Sequence, residues 1–389
     1  MKYDFNKITD RRGTNAVKLD LAVARGKPAD VLSLWVADMD FPTAPEILES
    51  LHKKVDHGIF GYSGPDKRFF DAVQNWMKNE HDFEIDRRWI VTTPGVVFAT
   101  ACAIKAFAKE GEGVLIQTPV YYPFKNMIEA NGRKLVTSSL FEKDGKWYID
   151  FEDFEKKIIE NEVKLFILCS PHNPVGRVWT KDELTKISEI CLRHNVIVFS
   201  DEIHNDFIIP PNKHTVYSTI SKEVAWNCVV STSASKTFNL AGLQFSVNFI
   251  KNPELKSKFR MERDKTGYDE PSLMGIVATQ AAYENGKPWL TTLRQHLSEN
   301  LAYLRTFLRE NLPKVHLIEP EGTYLIWLDF SEYGYSDTEL DDLLVNKAKL
   351  WLDRGTMFGP EGEGYQRINI ATPRPILQEA LERIQKVFG

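Results

Sequence analysis

The chain is read as an α/β protein: a large domain built on a mostly parallel sheet, followed by a smaller α+β domain. Three observations carry this reading. Short, wholly apolar segments alternate with amphipathic helical patterns through the middle of the chain. The texture changes after about residue 287, where a long helical pattern runs without a strand. The length of 389 residues calls for two or three domains rather than one core.

The apolar segments are 113–117 (GVLIQ), 164–169 (KLFILC), 196–200 (VIVFS) and 228–232 (CVVST). They are apolar throughout instead of alternating, as expected of parallel strands covered by helices on both faces. The clearest helix spans 181–194, with Leu184, Ile187, Ile190 and Cys191 on one face. Thr180, with Glu183 three residues later, forms a capping box at its start. Strand–helix alternation of this kind places ligands at the C-terminal ends of the strands. The smaller domain is expected to contain a helix over 289–311, a strand over 324–330, a helix over 338–352, a strand over 367–371 and a closing helix from Pro375. The expected division is an arm at 1–45, a large domain at 46–286 and a small domain at 287–389.

Composition bounds the function. With 43% hydrophobic and 26% charged residues the chain is an ordinary globular protein. A net charge of -5 argues against nucleic acid or an anionic membrane as the main partner. No signal peptide or membrane span is read from the sequence, so a cytoplasmic location is expected. Cys102, Cys169, Cys191 and Cys228 form no close pair and sit in apolar runs, as buried free thiols do.

The chemistry gathers at strand ends. In STSASKTFNLAGL (231–243) a strand runs into small polar residues and Lys236. Alone, Lys236 reads as a solvated loop lysine. Three other segments end at the same edge. TTPGVVFA (92–99) is a strand, a glycine turn and a helix start, whose N–H groups suit a phosphate. SPHNPVGRVW (170–179) holds Asn173 in a proline-bounded turn. SDEIHNDF (200–207) delivers Asp201 behind a buried strand, which is costly unless a positive group meets it. Taken alone, Asp201 reads as an ion-pair partner or a helix cap. A metal reading of Asp201, Glu202, His204 and Asp206 finds no second histidine at i, i+4, so no metal is expected.

Together, in order, these segments and an arginine near the C-terminus resemble the fold type I pyridoxal-phosphate (PLP) enzymes, the aspartate aminotransferase superfamily. Within it the chain looks most like the MalY/PatB group of cystathionine and cysteine-conjugate β-lyases. The strings that point there include LWVADMDF (34–41), GYSGP (61–65), TPVYYPF (118–124), DEIH (201–204) and RINIATPR (367–374).

The resemblance implies roles by position. Lys236 carries the cofactor and moves the Cα proton. Asp201 pairs with the pyridine nitrogen, Asn173 bonds the phenolic oxygen, and Tyr121 stacks on the ring and assists the leaving group. His204, where many aminotransferases carry tyrosine, touches the cofactor or tunes Asp201. The phosphate falls to the N–H groups of Val96 and Val97, to Ser233 and Ser235, and to Tyr62 from a second subunit, so a homodimer is expected. Gln244 stands where many relatives have a phosphate-binding arginine. Arg367 receives the substrate carboxylate, with Ala37 and Tyr122 beside it; Arg374 is the alternative partner or a structural ion pair. The implied reaction is β-elimination of L-cystathionine or another cysteine S-conjugate. An aminotransferase is the alternative enzyme, and a regulatory binding protein on the same fold the alternative class.

Overall fold

A computed structural model describes residues 3–389; the first two residues of the expected arm lie outside the described residues. The strands in chain order are β1 (Leu32–Ser33), β2 (Ile90–Thr93), β3 (Gly113–Thr118), β4 (Lys134–Lys143), β5 (Lys146–Ile149), β6 (Leu165–Cys169) and β7 (Ile197–Asp201). They continue with β8 (Cys228–Thr232), β9 (Ser246–Phe249), β10 (His316–Leu317), β11 (Leu325–Asp329), β12 (Leu350–Trp351), β13 (Asp353–Arg354) and β14 (Tyr365–Asn369).

The central sheet has eight strands in the order β2-β9-β8-β7-β6-β3-β4-β5. Its middle, from β8 to β4, is parallel. Strand β9 runs antiparallel to both neighbours, and β5 closes the far edge antiparallel to β4. The apolar strands are covered on both faces, as their composition predicts. Leu165, Ile167 and Cys169 feed one apolar cluster, with Val114, Ile116, Phe199 and Val229. Their alternates Phe166 and Leu168 feed the other, with Leu115, Val198 and Val230.

Helix Lys181–Arg193 starts at the expected capping box: Thr180 Oγ1 accepts from the Glu183 N–H, and the Glu183 carboxylate accepts from the Thr180 N–H. A second sheet, β10-β11-β14-β13, is antiparallel throughout, and helices Lys287–Asn311 and Arg374–Phe388 belong to the same C-terminal third. The long helix expected over 338–352 is not formed. Asp337–Asp342 is α-helical, the chain widens to a π-turn over Leu343–Lys347, and Lys349 then adopts a left-handed conformation, φ 51°. Leu350–Trp351 becomes a strand because Leu32–Ser33 pairs with it in parallel. The N-terminal segment is thereby tied to the C-terminal third.

Candidate active site

Five strands of the central sheet end at one edge. Strand β8 leads through Thr232 into the turn carrying Lys236, β7 ends in Asp201, and β6 leads to Asn173. Strand β3 leads to Tyr121, and β2 passes through Gly95 into helix Val96–Phe107. Register sets part of this: Asp201 lies opposite Cys169 on one side and Ser231 on the other. Between the ends lies a cavity of about 490 Å³, within the range of small-ligand and cofactor sites. Ala37, Val96, Val97, Tyr121, Asn173, Asp201, His204, Ser235 and Lys236 all line it.

Lys236 Nζ donates to the Ala37 carbonyl oxygen at 2.9 Å. Burial lowers its pKa to about 8, with Arg367 adding to the fall and Asp38 and Asp201 opposing it. Burial raises Asp201 to about 7; its Oδ1 accepts from the Ile203 N–H at 3.1 Å, and Lys236 partly offsets the cost. An acid this deep at a strand end awaits a cation. His204 is pushed down to about 3 by burial and by the nearby Lys236 and Arg367. Its ring therefore stays neutral, and Nδ1 is buried without a partner. Its edge packs on Tyr324, centroids 5.8 Å apart. Burial also raises the Tyr121 phenol well above its ordinary value.

These residues fit a pyridoxal phosphate. A primary amine at the wall, a carboxylate awaiting a cation and an unpartnered imidazole nitrogen match the carbonyl carbon, ring nitrogen and polar edge of that molecule. Asn173 already commits its side-chain oxygen to Arg367 Nη1 at 3.0 Å, which leaves its amide nitrogen to donate. Gly95, at φ 123°, opens the start of helix Val96–Phe107: a Cβ there would meet only Gln244 Oε1, 3.9 Å away. First-turn N–H groups of such a helix suit a phosphate. Gln244 itself lines the cavity.

Four further expected residues are not among those that line the cavity. Ser233 Oγ donates to the Phe245 carbonyl at 2.6 Å and accepts from the Ser235 N–H, so it caps the lysine turn and does not line the cavity. Tyr62 is 94% exposed, in a surface depression with Arg260 and Arg263. Tyr122 packs toward Phe358, centroids 6.1 Å apart, outside the cavity wall. Arg367 is 3% exposed and sits behind Asn173. Arg374 donates to Asn300 Oδ1 at 2.7 Å and lies over the Tyr303 ring, a structural setting. The acids of DEIHND diverge: Glu202 pairs with His214 and Asp206 with His81, so they do not converge on a metal.

Two residues escaped the sequence reading. Tyr324 Oη donates to the same Ala37 carbonyl that Lys236 uses, at 3.0 Å. Asp353 pairs with Arg367 in the interior. Both act through non-local contacts, Tyr324 on the segment at Ala37 and Asp353 across the β13–β14 ladder, and neither had a local signal.

Fold and site define an enzyme of the aspartate aminotransferase architecture. The family model for aminotransferase class I and II matches residues 29–384, and the chain belongs to that family. Among its relatives, cystathionine beta-lyase PatB of Bacillus subtilis (strain 168) is 43% identical over 99% of this chain and 100% of the relative. Protein MalY of Escherichia coli (strain K12) is 34% identical over 97% of each. Cystalysin from Treponema denticola, whose crystal structure contains pyridoxal 5'-phosphate, superposes with a TM-score of 0.96 at 39% identity, covering 100% of this chain and 99% of the other. The PLP-bound C-S lyase from Staphylococcus hominis gives 0.92 at 32% identity, covering 99% and 98%.

Proposed function

We infer that this chain is a PLP-dependent carbon–sulfur β-lyase, which takes L-cystathionine or another cysteine S-conjugate and water to a thiol, pyruvate and ammonia. The observation that carries the chemistry is the meeting of Lys236, Asp201, Asn173 and His204 on one cavity. The likeness to PatB and cystalysin over whole chains carries the choice of reaction within the family.

When bound, the pyridoxal ring acts as an electron sink for the carbon that loses its proton. Lys236 anchors the cofactor, and its freed amine removes the Cα proton. A pKa near 8 keeps a useful fraction of that amine neutral close to physiological pH. Asp201 holds the proton on the pyridine nitrogen, and that cation in turn keeps the buried carboxylate ionised. Asn173 donates to the phenolic oxygen from its amide nitrogen. The neutral His204 supports that edge or hydrogen-bonds toward Asp201. Tyr121 covers one ring face and stands ready to give a proton to the departing sulfur, since burial keeps its phenol protonated. Arg367 receives the α-carboxylate through a planar fork, with the Ala37 backbone and Tyr122 closing beside it.

The phosphate is read onto the N–H groups of Val96 and Val97 and the Ser235 hydroxyl. Ser233 supports the turn they share. Tyr62 is read as reaching a second subunit's phosphate in a homodimer. Ile59, Phe60 and Tyr62 are all exposed around it, an apolar surface of the kind that interfaces cover. The domains are read as an arm at 1–45, a PLP-binding domain at 46–286 and a small domain at 287–389. A cytoplasmic location is part of this reading. Among the described residues no helix is long and apolar enough to cross a membrane.

The test is direct. Purified holoenzyme is given L-cystathionine, and separately an amino acid with 2-oxoglutarate. Release of homocysteine thiol and pyruvate in equal amounts is expected; keto-acid exchange without thiol release would overturn the lyase reading in favour of an aminotransferase.

A further inference from the structure

Two of the three guanidinium nitrogens of Arg367 are already engaged, while Nε is buried without a hydrogen-bond partner. Nη1 donates to Asn173 Oδ1, and Nη2 donates both to the Trp35 carbonyl at 2.9 Å and to the Asp353 carboxylate. The ring of Phe358 covers one face, 4.8 Å from Cζ. A guanidinium has five N–H donors, and a two-pronged grip on a carboxylate uses two that point the same way. Either available pair, Nη1 with Nη2 or Nε with Nη2, includes an Nη2 hydrogen. An incoming carboxylate can therefore be gripped by both prongs only if Nη2 lets go of Trp35 or of Asp353.

Asp353 is the partner that resembles the ligand. It faces Arg367 directly across the β13–β14 ladder, so the backbone register holds the pair together. Asp353 is 2% exposed, and Arg367 is the one cation within ion-pair distance of it among the described residues. Its burial raises its pKa even against that arginine, so the pair leaves the desolvation of Asp353 incompletely offset.

We propose that Asp353 is a resident carboxylate of the substrate-anion site, occupying Arg367 until a substrate carboxylate displaces it and opposing simple carboxylates that would otherwise lodge there. The inference rests on the reading of Arg367 as the receptor of the α-carboxylate. With Asp353 ionised, the site has no net positive charge. A bare monocarboxylate gains little by entering. An amino acid gains more, because its amino group is also captured at the cofactor. Pyruvate, the monocarboxylate product, is then released readily after each turnover.

The probe is propionate, an unreactive monocarboxylate, titrated onto the holoenzyme by ligand-observed NMR. Asp353→Asn keeps the shape and removes the charge. It is expected to tighten propionate about tenfold or more, the order for removing one like charge beside a buried ligand. The KM for cystathionine is expected to fall without a rise in kcat. Asp353→Ala is carried in parallel and must tighten propionate as well, which keeps the test decisive if one variant does not fold. Propionate binding that is unchanged or weaker in the folded variants would overturn the proposal, leaving Asp353 as a support for Arg367 alone. Arg367→Gln separates the two readings: if it leaves the KM for cystathionine unchanged, the receptor assignment has failed. If it raises KM while Asp353→Asn tightens nothing, only the resident-carboxylate proposal has failed.

Discussion

The side-chain amine of Lys236 lies 2.9 Å from the carbonyl oxygen of Ala37, in a segment remote from it in sequence. That segment is held from three directions. Asn239 bonds Met39 on both its N–H and its carbonyl, Asn369 donates to the Val36 and Asp38 carbonyls, and Arg11 and Lys18 pair with Asp40 from the N-terminal side. Lys18 has no exposed surface at all, so this clasp is an interior feature. The lysine therefore meets a carbonyl in a segment held jointly by the turn after β8, by strand β14 and by the N-terminal residues Arg11 and Lys18.

A buried amine with a lowered pKa should show itself when the cofactor attaches. On the proposed reading of Lys236 as the cofactor lysine, only its neutral amine would attack the cofactor carbonyl, and burial brings its pKa down to about 8. The rate at which cofactor-free protein takes up pyridoxal phosphate, followed by absorbance in a stopped-flow mixer, is expected to rise with pH and level off just above 8. A rate still climbing past pH 9.5 would contradict the lowered value. Lys236→Ala is expected to bind cofactor without covalent attachment and to lose activity by about three orders of magnitude or more.

Asp201 gives a stability test of opposite character. Its folded-state pKa is raised to about 7 by burial, above its ordinary value of 3.8. The folded state then holds a proton that the unfolded chain has released, so stability is full below about pH 4 and is lost as pH rises through 7. In cofactor-free protein, Asp201→Asn is expected to raise the melting temperature at pH 8 and to leave it nearly unchanged at pH 4. With cofactor bound, the same change should lower it, because the ring nitrogen loses its counter-charge. Equal shifts at both pH values in the cofactor-free form would argue against a protonated Asp201.

Much of this was legible in the chain itself. The strand at 228–232 is bounded as expected, and 165–169 and 197–201 are within a residue, because unbroken apolar runs of that length have few alternatives beside helical patterns. The capping box at Thr180 and Glu183 is local chemistry and reads locally. What failed to read is non-local. Leu340 and Leu344 continue a helical spacing, yet pairing with Leu32–Ser33 turns Leu350–Trp351 into a strand. Ser233 stands beside Lys236 in sequence, but the partner its hydroxyl takes here, the Phe245 carbonyl, lies twelve residues on and has no local signal. Asp353 gains its meaning only from the register that sets it against Arg367.

Tyr324 tests the strap that Lys236 touches. Its hydroxyl is a second donor to the Ala37 carbonyl, and its ring packs on His204 and Phe207. Tyr324→Phe keeps that packing and removes one hydrogen bond, at a cost of about 1 kcal/mol in stability. On the reading that Lys236 turns from Ala37 to the cofactor, the loss should fall mainly on closure over substrate. KM for cystathionine is expected to rise several-fold while kcat changes less. A fall confined to kcat would assign the hydroxyl to the chemical step.

Arg177 is a buried charge that does not line the cavity. Arg177 is 3% exposed and is held by Glu183 and Glu321, with Nη1 on the Trp147 carbonyl. Glu183 does double duty, since its carboxylate also closes the capping box with Thr180. Thr180→Ala removes both contacts of the capping hydroxyl with Glu183 and should cost about 1 kcal/mol. Glu183→Ala removes the cap and also half of the anionic surroundings of a buried guanidinium. Breaking a buried pair from one side typically costs about 3–5 kcal/mol; here Glu321 remains, so about 3 kcal/mol is expected. Urea unfolding of the two variants should therefore separate them by about 2 kcal/mol. Equal midpoints would mean that Glu321 alone satisfies Arg177 and that Glu183 acts only as a cap.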